Sequence, residues 1–176
     1  MKALTIVATV VLVALTGRVS VSAQDKQDTQ DVATAIANFK NSDPALAKWF
    51  DTAYGYAVFP NVGKGAIVVG AASGSGLVYE KGAYIGDVHM TQATVGAQIG
   101  GEAYAEAIFF ETKAALDRFK ENRFEWSAGV NAVAANSSRS KDAKYAEGVA
   151  VFTLAKKGLM AEVSVGGQKF TFTPKK

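Results

Sequence analysis

The stretch AYGYAVFPNVGKGAIVVGAASGSGLVY, residues 53–79, decides the fold class. Short bursts of Val, Ile, Ala and Tyr are broken at Gly55, Gly63, Gly65, Gly70, Gly74 and Gly76, with a lone proline at Pro60. β-Branched and aromatic residues interrupted by glycine read as strands, the glycines marking tight turns or close backbone approach. The predicted strands are 54–59, ending at Pro60, then 66–71 and 77–80 about a turn at 73–76. Gly74 and Gly76 are expected where φ is positive or where backbone crowding leaves no room for a Cβ.

Downstream, 83–91, 94–99 and 103–110 read as further strands, and a helix is predicted over 111–122 with Ala115, Leu116 and Phe119 inward. Residues 124–135 read as a long strand, 136–144 as a polar loop, and 148–154 with 158–165 as a hairpin across Ala155, Lys156 and Lys157. A strand at 170–173 closes the sheet. Upstream, Val32, Ile36 and Phe39 mark one face of a helix, ended by Asn41, Ser42, Asp43 and Pro44. Asp43 is the predicted N-cap of a second helix with Pro44 in its first position, where a missing N–H costs nothing. Leu46, Trp49, Phe50 and Ala53 line one face of that helix. Helices first, then many short strands around one more helix, give an α+β fold. Its expected form is a curled antiparallel β-sheet with N-terminal amphipathic helices and one embedded helix.

The first 23 residues are set apart from the fold. Lys2, an apolar run over 3–15 and the small residues Val21, Ser22 and Ala23 have the order of a secretory signal peptide, with cleavage expected after Ala23. The apolar run is shorter than the roughly 20 residues a spanning helix needs. An exported protein, periplasmic or secreted, is the expectation. Residues 24–30 are polar and without periodicity, a predicted disordered lead-in, and 31–176 form one domain. With no cysteine, disulfides, thiol catalysis and cysteine-held metals are excluded. After Ala23 the chain carries 17 basic residues (19 less Lys2 and Arg18) against 16 acidic ones. Such a balance gives no whole-molecule pull onto nucleic acid or an anionic membrane, so any attraction must be local.

The glycine-punctuated segments also carry a resemblance. AYGYAVFP, VGKGAIVVG and GSGLVY, then VGAQIGGEAYAEAIFF (95–110) and GLMAEVSVGG (158–167), resemble the SYLF domain, a lipid-binding module also found in yeast actin-binding proteins. The likeness covers most of the chain after Asp31. It implies a non-enzymatic domain that binds acidic lipids, phosphoinositides in the animal members, partly through an N-terminal amphipathic helix. A structural or protein-interaction module is the alternative, as in the actin-binding members.

Catalytic and cofactor motifs do not assemble in the sequence. The Gly65 to Gly70 spacing is followed by Ala71 and Ala72 where a P-loop needs lysine, and Gly74-Ser75-Gly76 runs into a strand where a dinucleotide fingerprint opens a helix. His89, the only histidine, shares a strand face with Asp87, a pairing expected as an exposed polar face; a hydrolase is the weakest reading. Too few ligands converge for zinc. Glu102, Glu106 and Asp87 are the candidate carboxylate cluster, with a solvated face expected instead. No cofactor and no metal are expected.

The lipid-site candidates are Lys40, Lys48, Trp49, Phe50 and Lys64. An aromatic pair flanked by lysines suits a membrane interface, where rings sit at headgroup level and ammonium groups meet phosphates. The same two rings equally suit packing of the second helix onto the sheet. An acidic phospholipid or membrane surface is the expected partner; no protein partner is specified.

Overall fold

The computed structural model describes residues 19–64, 71–93, 103–121, 131–135, 141–156, 162–164 and 167–176. Two helices lead, α1 (Val19–Ser42) and α2 (Ala45–Thr52), followed by strands β1 (Gly55–Lys64), β2 (Ala71–Glu80), β3 (Ala83–Ala93) and β4 (Tyr104–Phe110). Helix α3 (Lys113–Lys120) precedes β5 (Asn131–Ala134), β6 (Val149–Ala155), β7 (Glu162–Ser164) and β8 (Gln168–Pro174). The strands form one eight-stranded sheet in the order β7-β5-β6-β4-β1-β2-β3-β8. All described pairs are antiparallel except β5–β6, which makes an otherwise antiparallel α+β sheet mixed.

Chain connectivity forces this sheet to curl. β7 and β8 sit at opposite edges, yet only residues 165–167 join them. Laid flat, eight strands would hold those edges about 34 Å apart, whereas the link reaches at most about 15 Å. The curl brings Phe170 of β8 within 6.0 Å of Phe59 on β1 and 4.9 Å of Phe119 on α3, ring centre to ring centre. One core therefore fills the concave face, with Phe59, Met90, Ile108, Phe110, Leu116 and Phe119. A second lies on the convex face, where Val32, Phe39, Leu46 and Phe50 of α1 and α2 meet Tyr56, Val58, Leu77, Phe109 and Phe152.

Glycine and proline shape β1 and β2. Pro60 does not end its strand: β1 continues to Lys64, and the register slips between Val58 and Asn61 against β2 and between Phe59 and Val62 against β4. Proline has no N–H for the ladder, and a bulge absorbs it. The turn expected at 73–76 is likewise absent, these residues lying inside β2. A Cβ on Gly76 would overlap the Val58 carbonyl oxygen, and one on Gly74 would come within 2.7 Å of the Asn61 oxygen. Close strand approach at the bulge, not a left-handed turn, is what these glycines serve. The hairpin turn lies at Lys81 and Gly82, where φ is +50° and +80°, joining β2 to β3 through two residues.

Other expectations shift in similar ways. α1 runs through 24–30, the expected irregular lead-in, and across the position after Ala23. β6 and β7 do not pair as a hairpin, because β5 is inserted between them, parallel to β6 and antiparallel to β7. α3 keeps the expected inward set of Ala115, Leu116 and Phe119, and its N-terminus is capped by Thr112, whose hydroxyl accepts from the Ala115 N–H at 3.2 Å. Residues 1–18, 94–102 and 122–130, which include the signal-peptide run, one expected strand and most of another, lie outside the described residues.

Candidate functional site

The helical layer on the convex face holds most of the expected lipid-site residues. Asp43 Oδ1 accepts from the Ala45 N–H at 2.9 Å, and its carbonyl accepts from Leu46, which starts α2 as the Asp-Pro pair predicts. That fixed start rotates Leu46 and Phe50 into the core. The Phe50 ring lies 4.8 Å from Phe109 and 5.3 Å from Tyr56, both edge-on, and 6.4 Å from Phe39 of α1. Trp49 is part-buried, its ring 5.0 Å from Phe152, 4.8 Å from Tyr145 and 5.7 Å from Phe109. Edge-to-face contacts of this kind add to the area the rings bury. In this conformation Phe50 is a core residue, not a surface one.

The lysines are arranged around that anchor. Lys40 lies with its ammonium 5.5 Å from the Phe50 ring centre and 3.8 Å from Asp51. Lys48 is exposed on α2 beside Trp49. Only the strand backbone of Lys64 is described, so the structure groups Lys40, Lys48, Trp49 and Phe50 and leaves Lys64 aside.

An open cleft of about 590 Å³ separates α1 from the rim of the sheet. Asp31, Thr34, Asn38, Asn41 and Ser42 line the helical wall; Pro60 and Asn61 of the bulge and Lys156 after β6 form the other. Ala35, Ala105, Leu154 and Ala155 add its apolar part. Lys156 Nζ donates to Asn61 Oδ1 across the sheet rim.

On the concave face, four of the buried polar residues converge. Glu106 is fully buried, its Oε2 accepting from Gln168 Nε2 at 2.9 Å across the curl from β8 to β4. Nearby, the Tyr104 hydroxyl donates to Gln92 Oε1 at 3.3 Å. Among the described residues, Glu106 Oε1 and the hydroxyl of Thr153, its register partner on β6, find no hydrogen-bond partner. Burial pushes the Glu106 carboxyl up to about 7, against the opposing pull of the Gln168 hydrogen bond. The same burial raises Tyr104, with the Glu106 charge adding to it. The expectation of a solvated Glu106 is therefore overturned. Nor does a carboxylate cluster form with Asp87, which lies on the opposite face of the sheet, while Glu102 falls outside the described residues.

His89 and Asp87 share the exposed convex face of β3, as expected. Ser75 Oγ lies 3.3 Å from His89 Nδ1, but Asp87 accepts from Tyr84 at 2.9 Å. Nothing here has the shape of a base held by a carboxylate. Among the described residues there is no group of three or more histidines and carboxylates able to hold a metal.

Residues 91–175 match the model of a family, Ysc84, described as "Las17-binding protein actin regulator". A curated relative, "Beta cell expansion factor A" of Aeromonas veronii, is 34% identical over 138 residues, which cover 78% of this chain and 52% of that protein. The chain carries a Ysc84-family, or SYLF, domain. It spans about half the length of the curated relative. The span matching the SYLF model supplies α3 and β4 to β8, including Phe109 and Phe152 beneath the helices, together with Tyr145, Lys156 and the whole Glu106 group, while β1, β2 and most of β3 precede it. That match supports a binding module of the lipid- or actin-binding type.

Two features of this SYLF domain escape a reading of the sequence. Glu106 stands in AYAEAIFF, where strict alternation places it with Tyr104, Ile108 and Phe110; that shared parity was the signal for burial. The cleft has no comparable signal on its sheet side, because the Pro60 bulge and the end of β6 meet only through the pairing of β1 and β6 with β4. On its helical side the spacing of Asp31, Thr34, Asn38 and Asn41 is visible in the sequence.

Proposed function

We propose that this SYLF domain is a non-enzymatic lipid-binding module that docks on an acidic phospholipid surface through the outer side of α1 and α2. The observation that carries this reading is Trp49, part-buried on Phe152 and Tyr145 and flanked by exposed Lys48. A ring with one edge held by protein and the other near a lysine suits the headgroup layer. Phe50 serves as the anchor that holds α2 in place, and Lys40, Lys48 and Lys64 supply the attraction to lipid phosphates. The near-balance of charge after Ala23 makes that attraction local and modest.

Flotation tests it. The folded protein is expected to float with vesicles containing phosphatidylglycerol and to remain behind with pure phosphatidylcholine, the difference shrinking as salt rises. A folded protein that floats with neither overturns the lipid reading and favours the protein-interaction module. The same reading includes export, with the mature chain beginning at Gln24 because Val21, Ser22 and Ala23 suit signal peptidase. N-terminal sequencing of protein from the secreting host should return Gln24; a soluble protein that retains Met1 would remove that part.

A further inference from the structure

We propose that the cleft between α1 and the Pro60 bulge binds a polyhydroxylated ligand of the sugar class. Three observations converge. The volume, about 590 Å³, is that of a small-molecule site. The walls are amide and hydroxyl: Asn38, Asn41, Thr34 and Ser42 from α1 face Asn61 across the gap. A carboxamide both donates and accepts, so it can meet two neighbouring hydroxyls at once. Pro60, Ala105 and Leu154 add an apolar patch against which the C–H face of a sugar ring can rest.

Asn41 and Ser42 end the helix, but within its body the helix gives no reason for Asp31, Thr34 and Asn38. Asn, Thr, Ser and Asp are weaker helix formers than the Lys, Glu and Gln that ordinarily fill a solvated face, since their short side chains compete for the backbone. Val32, Ala35 and Phe39 seat α1 on the sheet, and the polar row beside them is turned to the cleft. Thr34 Oγ1 donates to the Gln30 carbonyl at 2.9 Å and so offers the cleft its acceptor lone pairs. The Lys156 ammonium occupies Asn61 Oδ1, which leaves the Asn61 NH₂ as a donor.

Charge separates this ligand class from phosphates. Among the described residues, one ammonium, Lys156, and one carboxylate, Asp31, line the cleft. Phosphate recognition calls for several cationic or backbone N–H donors, whereas a neutral polyol is served by the amides alone. The site is distinct from the Trp49 and Lys48 surface and does not depend on the lipid reading.

Amide NMR spectra of the full chain, titrated separately with glucose, N-acetylglucosamine and sodium phosphate, test the proposal. The expected result is a saturable shift of the Asn38, Asn41 and Asn61 carboxamide signals with at least one sugar, at concentrations up to about 10 mM. Asn38→Ala and Asn61→Ala, both at exposed positions, should each weaken that binding about tenfold, the loss of one or two hydrogen bonds. Their melting temperatures should match the parent protein, and flotation with phosphatidylglycerol vesicles should be unchanged. The proposal is overturned if neither sugar produces a saturable shift, if phosphate alone produces it, or if folded Asn38→Ala and Asn61→Ala bind sugar like the parent.

Discussion

On the concave face the sheet closes over its own core, with α3 and the returning β8 sealing Phe59, Phe110 and Phe119. On the convex face closure is left to α1 and α2, which sit side by side in the sequence and hold on through a handful of rings. β4 is the shared wall. Its seven residues are all buried, Tyr104, Ile108 and Phe110 toward one core and Ala105, Ala107 and Phe109 toward the other. Small residues on the convex side leave room for a helix to come close, and Phe109 receives both Trp49 and Phe50. The concave core is thus built by topology, the convex one by an added layer that leaves a cleft at its margin.

The severest way to break the comparison is to remove the rings that hold the added layer. Replacing both Trp49 and Phe50 by serine should cost well above the roughly 3–5 kcal/mol of one large aromatic truncation, since two hydroxyls also enter an apolar site. If the layers are as separable as their construction implies, circular dichroism of this variant should keep strand signal while helix signal falls. A variant that melts like the parent would mean the rings do not carry the convex core.

The concave core is probed through Glu106. Its carboxyl is raised to about 7 in the folded chain, from 4.5 in an unfolded one, chiefly by burial. The neutral form is the one the fold accepts. Its contribution is therefore fully present below about pH 4.5 and lost as pH climbs toward about 7, a span worth about 3 kcal/mol. Denaturation curves across that range should show stability falling with rising pH, and Glu106→Gln should flatten the fall. A slope that survives the substitution would assign the effect elsewhere.

Gly76 tests the curl between the two faces. Valine there would drive a side chain into the Val58 carbonyl and the ring of Phe59. The expected cost is about 1–3 kcal/mol, read as a lower denaturation midpoint. An unchanged midpoint would show that the bulge at Pro60 can open without loss.

Much of this was legible in the sequence, for reasons that differ by element. The start of α2 held by the Asp43 side chain, the inward face of α3 and the strand character of 54–59 and 103–110 follow from local chemistry, and the structure keeps them. The positions of Gly74 and Gly76 were legible as crowded sites but not as mid-strand ones, because the crowding comes from a bulge in the neighbouring strand. The insertion of β5 between β6 and β7 was not legible at all: pairing between distant strands is set by the whole sheet, while a short turn between 148–154 and 158–165 favours the local hairpin on paper. For the candidate site, the sequence named the residues of the helical layer. It could not tell that Phe50 points inward, since ring and lysine patterns look alike on a buried helix and on a membrane-facing one.

The smallest effect falls on the outer side of that layer. Lys48 is exposed and Lys40 part-exposed, its ammonium shared between Asp51 and the Phe50 ring. Near an anionic surface each lysine contributes about 1 kcal/mol, and the share declines over a Debye length of about 10 Å at 0.1 M salt. Replacing Lys40, Lys48 and Lys64 together by glutamine should weaken co-sedimentation with phosphatidylglycerol vesicles at low salt and leave little difference at high salt. Thermal stability should hardly move, because the ion pair lost among the described residues, Lys40 with Asp51, is solvent-exposed at 39% and 70% of its two side chains. Restoring Lys48 alone should recover more binding than restoring Lys40, whose ammonium must first leave Asp51. Equal binding by the triple variant and the parent at low salt would show that lipid attraction, where it occurs, comes from another face of the sheet.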